Sequence, residues 1–387
     1  MRTAGFVAFI FVALGLYGLS HYYLLRRLSR ALPPAGWVRG IVFGLVIAGA
    51  LSFLVGRFFF GRHAGPAGEA AIIAGTVYLA VWIVTLWLTL AYDALRILDR
   101  GLRFFSSGAR ADAAAGGGLA FRFIVGAAVV LGLLGAWNAA RPRLRSETVA
   151  IAKSAGDLPS LKIAVVSDLH LSPMLRSRFL DRVLAKVKAL EPDLILLPGD
   201  IVGEDTPTRD RERIAAAFRE LRPRCGVFAC TGNHEYYGDL EKNLETLRRG
   251  GVRILQDEAV VIAGSISLVG RKDRTVMRMG GTRDSLKTIT AGLDATAPLL
   301  VMDHQPVNLI EAVEAGVDLL ICGHTHNGQM IPITQINKFV YEINWGHHRK
   351  GATAIDVTSG AGTWGPPVRI GTIPEIVQIT LRFKPKE

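Results

Sequence analysis

The stretch ICGHTHNGQM, residues 321–330, carries two histidines one residue apart beside a pair of glycines. In extended backbone, side chains at i and i+2 project to the same side, so His324 and His326 can converge on one point. That geometry suits metal ligation, and a polar turn that contains histidine fits this segment alone equally well. The rest of the chain weighs between them. Polar residues recur where short apolar runs stop: VVSDLH ends in Asp168 and His170, LLPGD in Asp200, ACTGNHE in Asn233, His234 and Glu235, LLVMDH in His304, and LLICGHTH in His324 and His326.

Any one of these residues alone is an ordinary cap or turn residue. Together, Asp168, His170, Asp200, Asn233, His304, His324 and His326 offer two carboxylates, one carboxamide and four imidazoles. A tetrahedral zinc site needs only about four protein ligands, so this set suits two divalent ions. Asp200, on the tight Gly199 turn, can bridge them, and a pair about 3.5–4 Å apart can clamp a phosphoryl group for in-line attack. Neutral imidazole ligands keep such a site electrophilic toward an anionic phosphate, and they favour Mn, Fe or Zn over Mg. His234 follows Asn233 directly. Neighbours on an extended segment face opposite ways, so it is not expected at the same ion. A turn can aim it at a leaving-group oxygen as general acid, and a hydrogen bond behind the ligands is the alternative.

These residues need a scaffold of buried strands. From Leu161 onward, short apolar runs at 161–167, 193–199, 226–232, 298–302 and 317–323 alternate with helical segments near 176–190, 209–221, 239–250 and 307–315, with a strand-rich stretch at 252–270. That alternation predicts an α/β domain over 161–387. Ligands of open α/β sheets bind outside the carboxyl ends of the strands, where all five polar blocks fall. Ahead of it, residues 4–25, 40–60, 70–92 and 123–140 are long, nearly uncharged runs, and about 20 such residues cross a bilayer as a helix. Residues 1–145 are therefore expected to form a four-helix transmembrane region, with an uncleaved signal as the alternative for the first run and an interfacial helix for the fourth, 108–118 a flexible loop within it, and 146–160 a linker.

The net charge of +12 belongs to the membrane region. Residues 1–146 hold 15 Arg, no Lys and 4 acids, whereas the remainder holds 30 basic and 29 acidic residues. A nucleic-acid footprint would lie on the soluble domain, so nucleic acid is not an expected partner. Loops after the first and third runs carry nine arginines. The opposite side carries six: Arg2, Arg57, Arg62, Arg141, Arg143 and Arg145. That lean places the C-terminal domain on the extracytoplasmic face of a bacterial inner or plasma membrane. Cys225, Cys230 and Cys322 form no disulfide framework.

In order and spacing, SDLH, PGD, GNHE, a histidine after a strand, and GHTH resemble the five blocks of the calcineurin-like metallophosphoesterase superfamily. The resemblance covers about 161–383, and the closing GAGTWGPPVRIGTIPEIVQITL looks like its membrane-anchored bacterial branch, which includes lipid-sugar pyrophosphate hydrolases. It implies a metallophosphoesterase-type β-sandwich flanked by helices. One ion would be held by Asp168, His170, Asp200 and His326, the other by Asp200, Asn233, His304 and His324, with His234 as catalytic acid. Family members often carry an acid three residues after the bridging Asp; here that place is Gly203, and Glu204 or Asp205 is the candidate substitute. Asn327, where a small residue is common, either caps the turn or narrows the phosphate pocket, and the cap is the favoured reading.

The expected function is a membrane-anchored binuclear metallohydrolase that cleaves a phosphoester or pyrophosphate bond. Four helices are a costly anchor unless the substrate is lipid-linked or the helices have a task of their own. A non-catalytic module on the same fold is disfavoured by the complete ligand set, and a transporter with an accessory domain by the lack of acids in the apolar centres of the runs. His21 is expected at the membrane interface, and His347 and His348 in a polar loop. Arg369 is expected either to bind phosphate or to form a surface ion pair.

Overall fold

The computed structural model describes residues 2–56, 65–173, 175, 177–204 and 206–385. Arg57, Arg62 and Asp205, named above, lie outside the described residues, as do residues 57–60 of the second apolar run. The chain forms two compact units, Met1–Phe59 with Ala70–Leu134, and Phe60–Glu69 with Gly135–Glu387.

The N-terminal region consists of α1 (Arg2–Ala31), α2 (Gly36–Val55), α3 (Pro66–Leu102), α4 (Ser107–Ala114) and α5 (Gly118–Ala139). Four spans were expected; among the described residues, three helices are long and apolar enough to cross a membrane, namely α2, α3 and α5. α1 is a 30-residue helix over the first expected span. The expected flexible loop contains α4, which begins where Ser106 accepts a hydrogen bond from the Ala109 N–H. Serine at an N-cap satisfies a backbone donor that the helix leaves unpaired, and the alanines that follow are good helix formers. His21 is buried between helices: Nε2 is 2.8 Å from the Tyr78 hydroxyl, Nδ1 is 2.8 Å from the Tyr17 carbonyl, and the ring stacks on Trp82. A polar ring among apolar helices needs such partners.

The second unit runs β1 (Arg143–Ile151), β2 (Ser160–Val165), α6 (Ser177–Ala189), β3 (Leu194–Pro198), α7 (Thr208–Arg219), β4 (Val227–Cys230), α8 (Asn233–Tyr237), α9 (Leu240–Arg249), β5 (Arg253–Ile254), β6 (Glu258–Ile262), β7 (Ile266–Gly270), α10 (Thr275–Arg278), α11 (Leu286–Thr290), β8 (Leu299–Met302), α12 (Ile310–Glu314), β9 (Leu319–Cys322), α13 (Ile333–Val340), β10 (Gly346–Lys350), β11 (Thr353–Val357) and β12 (Glu375–Phe383). Two six-stranded sheets result, ordered β1-β12-β2-β3-β4-β5 and β10-β11-β9-β8-β7-β6. Their facing sides share one apolar core that includes Ile163, Leu196, Leu268, Leu300, Ile321 and Ile379. Helices α6, α7 and α9 cover the outer face of the first sheet, and α11 and α12 that of the second. The expected helix-flanked β-sandwich is what forms.

One expectation is corrected here. Residues 143–151, of which 146–151 were assigned to the linker, form edge strand β1, paired in parallel with β12 along its full length. Val149 and Ile151 alternate with exposed residues and enter the shared core, which is the period-2 pattern of a half-buried strand. The charged start of the segment masks that pattern.

Candidate metal centre

Three adjacent parallel strands of the first sheet, β2, β3 and β4, deliver Asp168 and His170, Asp200, and Asn233 at their carboxyl ends. Adjacent parallel strands β8 and β9 of the second sheet deliver His304, and His324 with His326. Five of these seven residues, Asp168, His170, Asp200, His324 and His326, hold left-handed backbone, with φ between 45° and 73°. Non-glycine residues adopt that region at a cost of about 1–3 kcal/mol each, and such strain clusters at functional sites.

All seven expected donors come together. Asp168, His170 and His326 each place a donor atom within 4.8 Å of the others; so do Asp200, His304 and His324. His170 Nε2 is 3.0 Å from His326 Nε2, which lies 3.3 Å from Asp168 Oδ1. In the second group, His304 Nε2 is 3.1 Å from Asp200 Oδ2 and 3.2 Å from Asn233 Oδ1, and His324 Nδ1 is 2.8 Å from that same carboxamide oxygen. Asp200 also lies 3.7 Å from His170 Nε2, so its carboxylate stands between the two groups.

The electrostatics favour neutral ligands beside charged carboxylates. Burial drives the His170 and His326 imidazoles well below their ordinary value, helped by neighbouring positive groups, and burial with His304 takes His324 to about 4. These three rings are neutral near pH 7, as ligation requires. Burial alone would raise Asp200, but His304 and His234 hold it well below its usual range, while Asp200 lifts His304 against the same burial. Asp168, which is fully buried, rises to about 6. A buried pair of carboxylates with converging lone pairs fits divalent cations, which would take over the charge that His304 carries without them.

His234 opens α8 rather than an extended segment, so the expectation of opposite-facing neighbours does not apply. Its N–H donates to Asp200 Oδ1 at 2.8 Å, and its ring lies within 4.8 Å of donor atoms of His170 and Asp200. Glu204 Oε1 is 3.7 Å from His234 Nδ1. Position 203 itself has no room for an acid: a Cβ there would sit 2.6 Å from the Leu171 carbonyl oxygen. Asn327 accepts from the Asn344 side chain at 3.0 Å, tying down the turn.

Two contributions escaped the sequence. Glu235 accepts the N–H groups of Gly232, Asp200, Ile201 and Val202 at 2.8–3.2 Å, clamping the β3 and β4 termini together. Burial and the Asp200 charge push its carboxyl up to about 7. The signal was the glutamate three residues after Gly232, the spacing of an N-terminal box. Arg369 is 1% exposed and so forms no surface ion pair. Its guanidinium donates to the carbonyls of Ser359, Gly360, Gly362 and His326 at 2.6–3.2 Å. The loop it gathers braces Asp168, because the N–H groups of Ala361 and Gly362 donate to the Ser167 and Asp168 carbonyls. His347 and His348 lie on β10, not in a loop, with His347 3.7 Å from Asp356 and His348 bonded to the Trp345 carbonyl.

The calcineurin-like phosphoesterase family profile matches residues 161–328, the span that holds every donor. A metallophosphoesterase of Aquifex aeolicus (strain VF5) is 32% identical over 228 residues, covering 58% of this chain and 86% of that one. The chain belongs to the calcineurin-like metallophosphoesterases. Among similar metallophosphoesterases, a Danio rerio transmembrane protein with metallophosphoesterase domain is 28% identical over 324 residues, covering 79% of this chain and 72% of its own. Phosphodiesterase YaeI of Escherichia coli (strain K12) is 29% identical over 235 residues, 57% of this chain and 82% of that one. Matches to metallophosphoesterases of Campylobacter jejuni and Helicobacter pylori span just under two thirds of those chains, 64% and 65%.

Proposed function

We propose that this metallophosphoesterase is a membrane-embedded phosphohydrolase with a binuclear metal centre, acting on a phosphoester or pyrophosphate that is lipid-linked. Asp168, His170, Asp200 and His326 would hold one ion, and Asp200, Asn233, His304 and His324 the other, with Mn, Fe or Zn favoured by the imidazole content. When bound, such ions supply Lewis-acid polarisation of the phosphoryl oxygens and neutralise charge that builds in the transition state. The observation that carries this reading is the position of Asp200, whose carboxylate lies among donors of both groups.

The chain's own residues do the remaining work. His234 delivers a proton to the leaving-group oxygen, and the Glu204 carboxylate near Nδ1 favours the protonated ring and orients it. Glu235 fixes the Asp200 and Gly232 backbone, so the ligand geometry is set before substrate arrives. The arginine lean of the loops supports an extracytoplasmic catalytic unit on a bacterial inner or plasma membrane. Turnover by purified, Mn-loaded protein of a panel of monoesters, diesters, pyrophosphates and lipid-borne esters tests the assignment. Hydrolysis that prefers the lipid-borne members is expected; no hydrolysis of any phosphorus substrate would overturn it.

A further inference from the structure

Helix α13 has two different faces. Thr334 is buried, and Asn337, one turn on, donates to the Thr325 carbonyl at 3.0 Å, between the donors His324 and His326. The other stripe is Ile336, Phe339 and Val340, at i, i+3 and i+4, all exposed, with Phe339 92% exposed. Ile331, Trp364 and Ile373 add exposed apolar surface from neighbouring loops. Single exposed apolar residues need no explanation, but a stripe on a helix that backs the metal-ligand turn does.

The same segments are bonded to the last turn of α5. Asn138 Nδ2 donates to the Arg369 and Thr372 carbonyls at 3.0 and 2.8 Å, the Arg369 N–H donates to the Gly135 carbonyl at 3.0 Å, and the Ile331 N–H donates to the Ile370 carbonyl at 3.0 Å. α5 is one of the helices apolar enough to cross a membrane. Its end has the features of an interface anchor: Trp137 is exposed, and the Arg141 guanidinium lies 4.3 Å from its ring centroid. With α5 as a span, groups bonded to that turn would fall at headgroup depth. There an amphipathic helix lies in the plane of the interface with its apolar face among the acyl chains.

We infer that Ile331, Ile336, Phe339, Val340, Trp364 and Ile373 form a docking surface for the bilayer the chain itself spans, seating the mouth of the metal site in the headgroup layer. The inference deepens the lipid-linked reading and rests on α5 being a membrane span. Trp364, whose ring centroid is 6.4 Å from that of His234, links the docking surface to the catalytic residues. A phosphoester carried on a lipid would then reach the donors without leaving the membrane.

The test uses the full chain with Cys225→Ser and Phe339→Cys, labelled with an environment-sensitive fluorophore and reconstituted in phosphatidylcholine–phosphatidylglycerol vesicles. Position 339 is so exposed that the substitution leaves the fold intact. The expected result is blue-shifted emission, quenched by a nitroxide on the lipid acyl chain and insensitive to aqueous iodide. Quenching by iodide and not by the lipid nitroxide would overturn the inference, and so would protection from both, which would mean that protein covers the stripe. Because the readout does not depend on turnover, its failure is separable from failure of the proposed hydrolase activity.

Discussion

Asp200 Oδ2 lies 3.1 Å from His304 Nε2, joining the end of β3 in one sheet to the end of β8 in the other. This contact brings the two halves of the sandwich together at the chemistry. Replacing Asp200 with Asn should abolish turnover and reduce metal content, because a neutral carboxamide cannot serve both donor groups. Metal analysis and rate measurement on the purified variant check this. Full activity with unchanged metal would remove Asp200 from its shared role.

His234→Gln should slow turnover by about 10²- to 10⁴-fold, the usual contribution of general acid catalysis, while metal content stays at the wild-type level. Substrates with good leaving groups should lose less. The structure places the His234 ring close enough to His170 and Asp200 to act as a donor itself. Loss of metal in the variant would therefore reassign it as a ligand.

Arg369→Lys should lower both thermal stability and metal affinity. One guanidinium serves four backbone carbonyls, and each left unsatisfied costs about 1–3 kcal/mol. The loop around Gly360 and the His326 turn would loosen together. Calorimetry of Mn binding beside a melting curve tests this, and a lower melting point with unchanged Mn affinity would limit Arg369 to a role in folding.

The five polar blocks were legible in the sequence because each follows a short apolar run, and seven potential donors at five strand ends exceed what caps and turns require. The elements that were missed lacked this contrast. β1 opens with Arg143 and Arg145, which look like linker residues until Arg145 is seen forked onto Asp356 at 2.8 and 2.9 Å and facing Glu375 at 3.2 Å. α4 was hidden in an alanine- and glycine-rich stretch, and α8 is too short to show a period. Arg369 was read as a surface or phosphate-binding cation because nothing local reveals that three carbonyls of the 359–362 loop and the His326 carbonyl would converge on it.

Asp356 links stability to pH. Burial would raise its carboxyl, but the His347 imidazole 3.7 Å away and the hydrogen bonds from Arg145 hold it below its ordinary value of 3.8. A carboxyl lower in the folded than in the unfolded chain stabilises the fold above the unfolded value, and that contribution is lost as pH falls through the folded one. The second unit should therefore lose stability below pH 3.8, and Asp356→Asn should flatten that loss. A fragment beginning at Ser146, which lacks Arg145, should melt lower than one beginning at Gly135 even at neutral pH, since unpairing a buried charge costs about 3–5 kcal/mol. Equal melting points would show that the Arg145 fork adds nothing.

The proposed binuclear centre is tested most directly by elemental analysis of the full chain, purified in detergent without chelators and then titrated with Mn or Zn. Seven donors in two groups that share Asp200, six of them buried and His324 half-buried, predict a content that approaches two transition ions per chain. A value of one per chain, unchanged by added Mn or Zn, would contradict it.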